Sequence, residues 1–276
     1  MTRYDLHCHS TRSDGVLCPG DLVRRAAQRG VDVLALTDHD EVAGLDEACG
    51  AARDAGVTLV PGTELSVTWN DTTIHVLGLG IDAQTPALVE GLEAVRKGRD
   101  ARARRIGTSL AEAGIADAFE GALEYVTSER LISRTHFARF LIDAGHARDM
   151  KDAFRRFLTA GKPGYVPHAW ASLPSALGWI RAAGGQAAIA HPGRYKLTQA
   201  ELRTLLGEFR DLGGEALEIV SPSHTAAQYA SFAGLARAFG LKGSGGTDFH
   251  GPDESTLDFG ELPPLPAGVA PVWQSW

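Results

Sequence analysis

Short apolar runs alternate with amphipathic helical patterns over the first 85 residues and again from about residue 165, which limits the chain to a few α/β architectures. "RYDLHC", "VDVLALTD" and "VTLVPGTELS" read as strands. Between them, "PGDLVRRAAQRG" and "GLDEACGAARDAG" read as helices, with Pro19 at a helix start and Gly30 and Gly56 after helix ends. "TTIHVLGLGI" reads as a further strand. From about residue 86 to 160 the strand signal fades into helical patterns that end in glycine, such as "SRTHFARFLIDAG" and "DMKDAFRRFLTAG". The rhythm then resumes with "GGQAAIAHPGRY", "GGEALEIVSPSH" and "FGLKGSGGTDFH". This order predicts a parallel α/β barrel or sheet into which helices are inserted, divided as 1–85, 86–164 and 165–276. The proline-rich tail "PPLPAGVAPVWQSW" predicts no regular element.

A 276-residue chain with 44% hydrophobic residues has ample material for a core. Its 27 basic and 34 acidic residues leave a formal charge of −7, which argues against broad binding to a nucleic-acid backbone but not against a small anion met by locally focused positive charge. Three cysteines, Cys8, Cys18 and Cys49, form no disulfide framework, and charged residues stand where a leader peptide would be apolar. The expectation is a reduced, cytoplasmic protein with no membrane segment and no evident protein partner.

Side chains alternate along a strand, so His7 and His9 share one face and Cys8 packs on the other. A lone His-x-His is a weak signal, but the pattern recurs. His39 closes "DVLALTDH", Glu64 follows "VTLVPGT", His75 sits in "TTIHVLGLG", and His191 closes "QAAIAH". Asp248 and His250 follow "LKGSGGTDFH" with the same spacing as the first pair. In a parallel α/β fold the strand ends meet at one mouth, so these residues converge. With Asp14 they make nine candidate ligands, too many for one tetrahedral zinc and suited to two or three ions sharing a bridging carboxylate. Imidazole and carboxylate without thiolate favour manganese, iron or zinc over calcium.

"DLHCHSTRSDG", "LALTDHD", "PGTELS", "IHVLGLG", "AIAHPGR" and "GGTDFHGP" together resemble the successive signatures of the PHP (polymerase and histidinol phosphatase) family, from residue 5 to residue 252. The resemblance implies a distorted (β/α)7 barrel with a centre of three divalent ions, Mn2+ first, with Fe2+ or Zn2+ as alternatives. Position by position, it implies that His7, His9, Glu64 and Asp248 hold one ion. Glu64 would bridge to a second bound by His75 and His191, and Asp14, His39 and His250 would hold the third. Glu64, Asp248 and His191 are the expected catalytic residues. The inserted stretch is similar to a stand-alone branch of phosphoesterases acting on 3',5'-nucleotide bisphosphates or, from the 5' end, on RNA.

Three divalent ions would outweigh three carboxylates, so the site calls for an anion. The expected reaction is attack on phosphorus by a hydroxide bridging the ions, removing the 3'-phosphate of a 3',5'-bisphosphonucleotide. The alternative is 5'-3' cleavage of short 5'-phosphorylated single-stranded RNA. A non-catalytic metal- or nucleotide-binding module and a metal-dependent amidohydrolase are the readings from other classes. Substrate contacts are expected from Arg194 in "HPGRY", Arg134 and His136 in "SRTH", Lys162 in "GKPGY" and His224 in "SPSHT". His146 and His168 read as ordinary loop or helix residues. The run "RKGRDARARR" reads as a solvated helix face, or as a track for RNA if it lines the cleft. Phe137, Phe140 and Tyr165 could stack on bases, although the first two also fit a buried helical stripe.

Overall fold

The computed structural model describes residues 2–127 and 131–276. The strands are β1 (Tyr4–Asp5), β2 (Val33–Leu36), β3 (Thr58–Trp69), β4 (Thr72–Leu79), β5 (Ala171–Ser172), β6 (Gln186–Ile189), β7 (Ala216–Val220) and β8 (Lys242–Gly245). The helices are α1 (Pro19–Gln28), α2 (Leu45–Ala55), α3 (Pro86–Glu112), α4 (Ala118–Leu123), α5 (Arg134–Asp143), α6 (Met150–Ala153), α7 (Leu173–Ala182), α8 (Gln199–Asp211) and α9 (Ala226–Phe239). A π-helical turn, Phe154–Leu158, continues α6.

Seven strands follow the order β1-β2-β3-β4-β6-β7-β8, and β5 pairs with β3 off that path. The ends of the sheet meet where Leu6 N–H donates to Gly245 O (3.1 Å), Asp248 N–H to His7 O (2.8 Å) and His9 N–H to Phe249 O (2.8 Å). The result is the distorted barrel that the family resemblance implies, with one departure from an all-parallel sheet. β4 runs antiparallel to both β3 and β6. The cause is local: the two residues between β3 and β4, Asn70 and Asp71, both have positive φ (45° and 60°), the backbone of a tight type I′ hairpin.

Alternation sorts the side chains of each strand. Val33 and Ala35 of β2 point into the barrel and meet Leu6, Val60, Leu77, Leu79, Ala188 and Ala216 in an apolar plug. Leu34 and Leu36 point outward, against α1 and α2. Val272 seals the plug from below, and Trp273 beside it stacks on Tyr4 at 4.2 Å. The lower barrel is thus filled, and polar chemistry is confined to the opposite mouth. Cys8 joins the outer layer, with its Sγ on Ala35 O at 3.1 Å, so it faces away from His7 and His9 as alternation requires.

The helices between β4 and β5 have a core of their own, built on Ile106, Leu110, Phe137, Leu141 and Leu158. α3 belongs to two cores, because Leu88 and Leu92 near its start pack on the barrel layer that includes α7. A helix of 27 residues thereby lies across the barrel mouth with its middle turns over the site. No helix among the described residues is long and apolar enough to cross a membrane.

Candidate metal centre

The ligand candidates converge because the strands deliver them to one mouth. His7 and His9 extend β1, with ring centroids 5.1 Å apart. Glu64 stands inside β3, and His75 pairs with Ser66 across the hairpin, which puts it on the face of Glu64. Because β4 is antiparallel, a residue near its start sits at the same end as the C-termini of the parallel strands. His39, His191, Asp248 and His250 come from the segments that follow β2, β6 and β8. Two of these need unusual backbone: His191 has φ +26° and Asp248 φ +49°. Asp14 arrives on a tight turn closed by Gly15 N–H on Ser10 O. Only glycine fits at position 15, since a Cβ there would lie 2.1 Å from His9 O.

Glu64 is the hub and is fully buried. Its Oε1 lies 2.9 Å from His75 Nδ1, 3.0 Å from His191 Nε2 and 3.3 Å from His7 Nε2. Its Oε2 lies 2.9 Å from His39 Nδ1 and 3.3 Å from His9 Nε2. Asp248 Oδ1 is 3.4 Å from His7 Nε2 and 3.2 Å from His9 Nε2. Asp14 Oδ1 is 3.4 Å from His250 Nε2 and 3.8 Å from His39 Nε2. All nine candidates named from the sequence are therefore in one cluster. They form four overlapping groups able to hold an ion: His9–Asp14–His39–His250, His7–His191–Asp248, His7–His9–Glu64 and His39–Glu64–His75. Ions held there would share ligands.

The donor set fits cations on two counts. Ligand bonds of about 2.0–2.1 Å at tetrahedral angles put neighbouring ligand atoms about 3.3 Å apart, and several imidazole–carboxylate separations here are 3.2–3.4 Å. Moreover, His7 Nε2, both ring nitrogens of His9, Asp14 Oδ1 and His191 Nδ1 are buried without a hydrogen-bond partner. Such atoms are costly in a protein interior unless something else satisfies them.

The charges are mutually supporting without ions. Burial would raise Glu64, yet the facing His75, His7 and His39 hold it well below the usual carboxylate range. Asp14 and Asp248 are likewise held low against burial, by His39 and His250 and by Arg194 and His7 respectively. Burial opposes protonation of His250, but Asp14 raises it to about 9. Burial and the neighbouring His250 and His39 push His9 down to about 3, while burial and Arg194 bring His191 to about 4. His9 and His191 are neutral at physiological pH, the state in which imidazole binds a metal.

A cavity of about 410 Å3 opens on this cluster beneath α3. Arg134, Arg194 and Tyr165 line it, as do Arg99 and Arg102, from the run that the sequence reads as a solvated face. That reading holds for only part of the run. Lys97 and Arg104 are exposed and pair along the helix with Glu93 and Asp100, whereas Arg96, Arg99 and Arg102 recur every three residues on the inward side. Arg99 bonds to Asp40 and to Ser66 Oγ (2.8 Å), and lies 4.9 Å from the ring of Trp170. Arg102 and Arg134 have only carbonyl acceptors, Val166 O at 3.0 Å and Leu158 O at 3.2 Å, and no carboxylate in ion-pair range among the described residues. Burial, Arg134 and Arg99 together bring Arg102 down to about 9.

Other expectations fare differently. His136 is buried as the capping partner of Ser133, whose N–H donates to its Nδ1 at 2.9 Å, and it lines neither this cavity nor the one beyond the cluster described below. Lys162 sits on an exposed turn and lines neither. Both ring nitrogens of His224 are engaged, Nδ1 by Ile219 O (2.9 Å) and Nε2 by the N–H of Gly193 (3.0 Å), so it braces the turn after His191. Phe137 and Phe140 belong to the helical core. His168, read as ordinary, lines the cavity beside Trp170. Ser133, within "SRTH", carries no site signal in the sequence, yet its Oγ donates to Asp14 Oδ2 at 2.9 Å and ties the start of α5 to a ligand candidate.

Past the cluster the cleft continues into a second cavity of about 370 Å3, which shares Thr135, Phe154, Arg194 and His250 with the first. Its wall joins Arg194, Asp248, His250 and Glu254 to Met150 and to the hydroxyls of Ser223, Ser255 and Thr256. Arg194 stands between the two, 2.5 Å from Asp248 Oδ2.

The profile of the PHP domain family matches residues 5–219. A 3',5'-nucleoside bisphosphate phosphatase of Chromobacterium violaceum is 48% identical over 274 residues, covering 99% of this chain and 96% of that protein. A 5'-3' exoribonuclease of Haemophilus influenzae is 42% identical, covering 99% of both. A solved structure of an amidohydrolase from Chromobacterium violaceum, with bound sulfate and no metal, superposes with a TM-score of 0.96 at 48% identity, covering 99% of this chain and 95% of that one.

Proposed function

Because the chain belongs to the PHP domain family, we propose that it is a metal-dependent phosphoesterase that removes the 3'-phosphate from 3',5'-bisphosphonucleotides, with Mn2+ as the metal. The observation that carries this reading is the pair of guanidiniums, Arg102 and Arg134, without carboxylate partners in the wall of the cavity that opens on the ligand cluster. With this pair as one cationic position and the ion-binding cluster as the other, the cavity suits a molecule with two phosphates.

As the family pattern divides them, the nine ligands would hold three ions with Glu64 shared at the hub, although His191 here groups with His7 and Asp248 and not with His75. Bound divalent ions supply positive charge for the phosphoryl oxygens and make hydroxide available near neutral pH. The chain's own part is to hold the two ends of the substrate. Arg102 and Arg134 take the phosphate remote from the ions, Tyr165 and Trp170 offer flat surface to the nucleoside between, and Arg194 reaches the phosphate at the ions from the rim. In the same reading, residues 86–164 act as a helical lid that carries most of the remote subsite.

A second reading, 5'-3' cleavage of short RNA, is favoured by one feature: the cleft does not stop at the cluster. The second cavity lies where the ester substituent of a phosphodiester would go, and Ser223, Ser255 and Thr256 offer hydroxyls there. Amide hydrolysis leaves Arg102 and Arg134 without a partner.

Mn2+-loaded protein should release phosphate from adenosine 3',5'-bisphosphate faster than it releases mononucleotides from a short 5'-phosphorylated RNA. Stepwise mononucleotide release with no phosphate from the bisphosphate would put the second reading first. Turnover of N-acyl amino acids alone would overturn both.

A further inference from the structure

Glu218 is the one charged residue in β7, a strand of sequence ALEIV in which all five residues are buried. A carboxylate there is costly unless its oxygens are bonded, and both are. Oε1 lies 2.9 Å from His7 Nδ1, and Oε2 accepts the backbone N–H of His191 at 2.6 Å. One side chain thus reaches two members of the cluster from behind, with no atom in the cavity.

The two bonds have different consequences. On His7, the nitrogen that faces Glu64 and Asp248 is Nε2, at 3.3 and 3.4 Å. An imidazole can ligate through Nε2 only if its proton sits on Nδ1, and a carboxylate facing Nδ1 enforces that tautomer. His9, by contrast, has no hydrogen-bond partner on either ring nitrogen, so its tautomer is not imposed in this way. On His191, the bond holds the amide of a residue at φ +26°, a backbone conformation that is unfavourable for a side-chain-bearing residue and persists only when its surroundings fix it.

We infer that Glu218 is a positioning residue that locks His7 in its ligating tautomer and pins the His191 turn. This rests on the reading of His7 and His191 as ligands. Both partners are donors in the ligating state, and a carboxylate offers an acceptor to each. Glu218→Gln cannot do so. If its NH2 faces His7, the proton moves to Nε2, where the ion belongs; if it faces His191, two N–H groups oppose each other.

Calorimetric titration of the metal-free protein with Mn2+ should show Glu218→Gln losing about 10–100-fold in affinity for at least one ion, with far-UV circular dichroism unchanged. In the wild type labelled with 15N-histidine and loaded with Zn2+, long-range 1H–15N correlations should place the His7 proton on Nδ1. That spectrum decides the matter even if the variant does not fold. A proton on Nε2, or Mn2+ affinities in Glu218→Gln within threefold of wild type, would overturn the inference alone. A wild type that takes up neither ion would overturn it together with the ligand reading.

Discussion

Replacing Arg99 by Met removes the charge that holds α3 over the barrel mouth. Asp40 is fully buried directly after His39, at φ +50°. Its Oδ1 accepts the Ser66 N–H at 2.7 Å, and its Oδ2 accepts Arg99 Nε at 2.8 Å and also Arg99 Nη2. The two side chains are 6% and 0% exposed, so water cannot compensate when one is lost. Breaking a buried pair from one side costs about 3–5 kcal/mol, a large part of the roughly 5–15 kcal/mol that stabilises a typical domain. For a chain of this size that corresponds to a fall in Tm of about 6–20 °C. Met retains most of the stem, so little of the loss is packing. Urea unfolding of the metal-free wild type, Arg99→Met, Asp40→Asn and the double variant supplies the cycle. The double variant should be less destabilised than the sum of the singles by at least about 2 kcal/mol, because it leaves no orphaned charge. Single costs below about 1 kcal/mol, or singles that add to within about 0.5 kcal/mol, would refute the argument.

Gly246→Ala should damage both stability and metal uptake, since the new Cβ would lie 2.3 Å from His7 Cβ and 2.6 Å from His7 N; unfolding should show a loss of about 1–3 kcal/mol, and elemental analysis fewer ions per chain. Thr256→Trp fills the cavity beyond the cluster, so kcat/KM for a 5'-phosphorylated dinucleotide should drop at least about tenfold while that for a bisphosphonucleotide stays within about twofold; equal losses would remove the second cavity from the cleft. Metal uptake should release protons, because His250, held at about 9 by Asp14, must give up its proton to ligate. Apparent Mn2+ affinity should therefore climb from pH 6.5 to pH 9. In the metal-free protein the same raised pKa contributes stability that is fully present below the unfolded value near 6.5 and is lost as pH rises through about 9. Melting temperatures and pH-stat titrations across this range check both signs.

The ligand cluster was legible in the sequence because it depends on two rules that act at a distance from any contact: strand alternation and the meeting of strand ends. His7, His9, Asp248 and His250 needed nothing more. β4 is legible as a strand but not in direction, since the backbone of Asn70 and Asp71 sets the direction, and "ND" between two apolar runs is the only mark of that hairpin in the sequence. Arg99 was hidden for another reason: a basic run on a helix looks solvated until Asp40, 59 residues earlier, is placed against it. The three-residue spacing of Arg96, Arg99 and Arg102 was the available sign. His136 and His224 went the other way. Each was assigned to substrate from its neighbourhood, and each is occupied by a local hydrogen bond that the sequence resembles only after the fact, Ser-x-x-His as a cap and Ser-Pro-Ser-His as a brace.

The line along which the barrel closes joins β1 to β8, and among the described residues it carries one isolated bridge, Cys8 with Phe249, rather than a continuous ladder. The backbone hydrogen bonds of Leu6 with Gly245, His7 with Asp248 and His9 with Phe249 cross it, and Val16 N–H reaches His250 O just beyond, beside a Thr247 N–H that reaches the carboxylate of Asp5, 242 positions earlier. An ion held by His7, His9 and Asp248 would span the same line. In the unfolded chain such a bond closes nearly the largest loop available, and a covalent cross-link of that reach removes on the order of 5 kcal/mol of chain entropy. Loading the centre would then be a mechanical event as well as a chemical one. Below the mouth the two ends are already held by the Tyr4–Trp273 stack, by Val272 in the plug and by the Arg25–Asp258 pair. An ion thus buckles the upper edge of the belt, and an emptied centre should leave the barrel to loosen first at that edge.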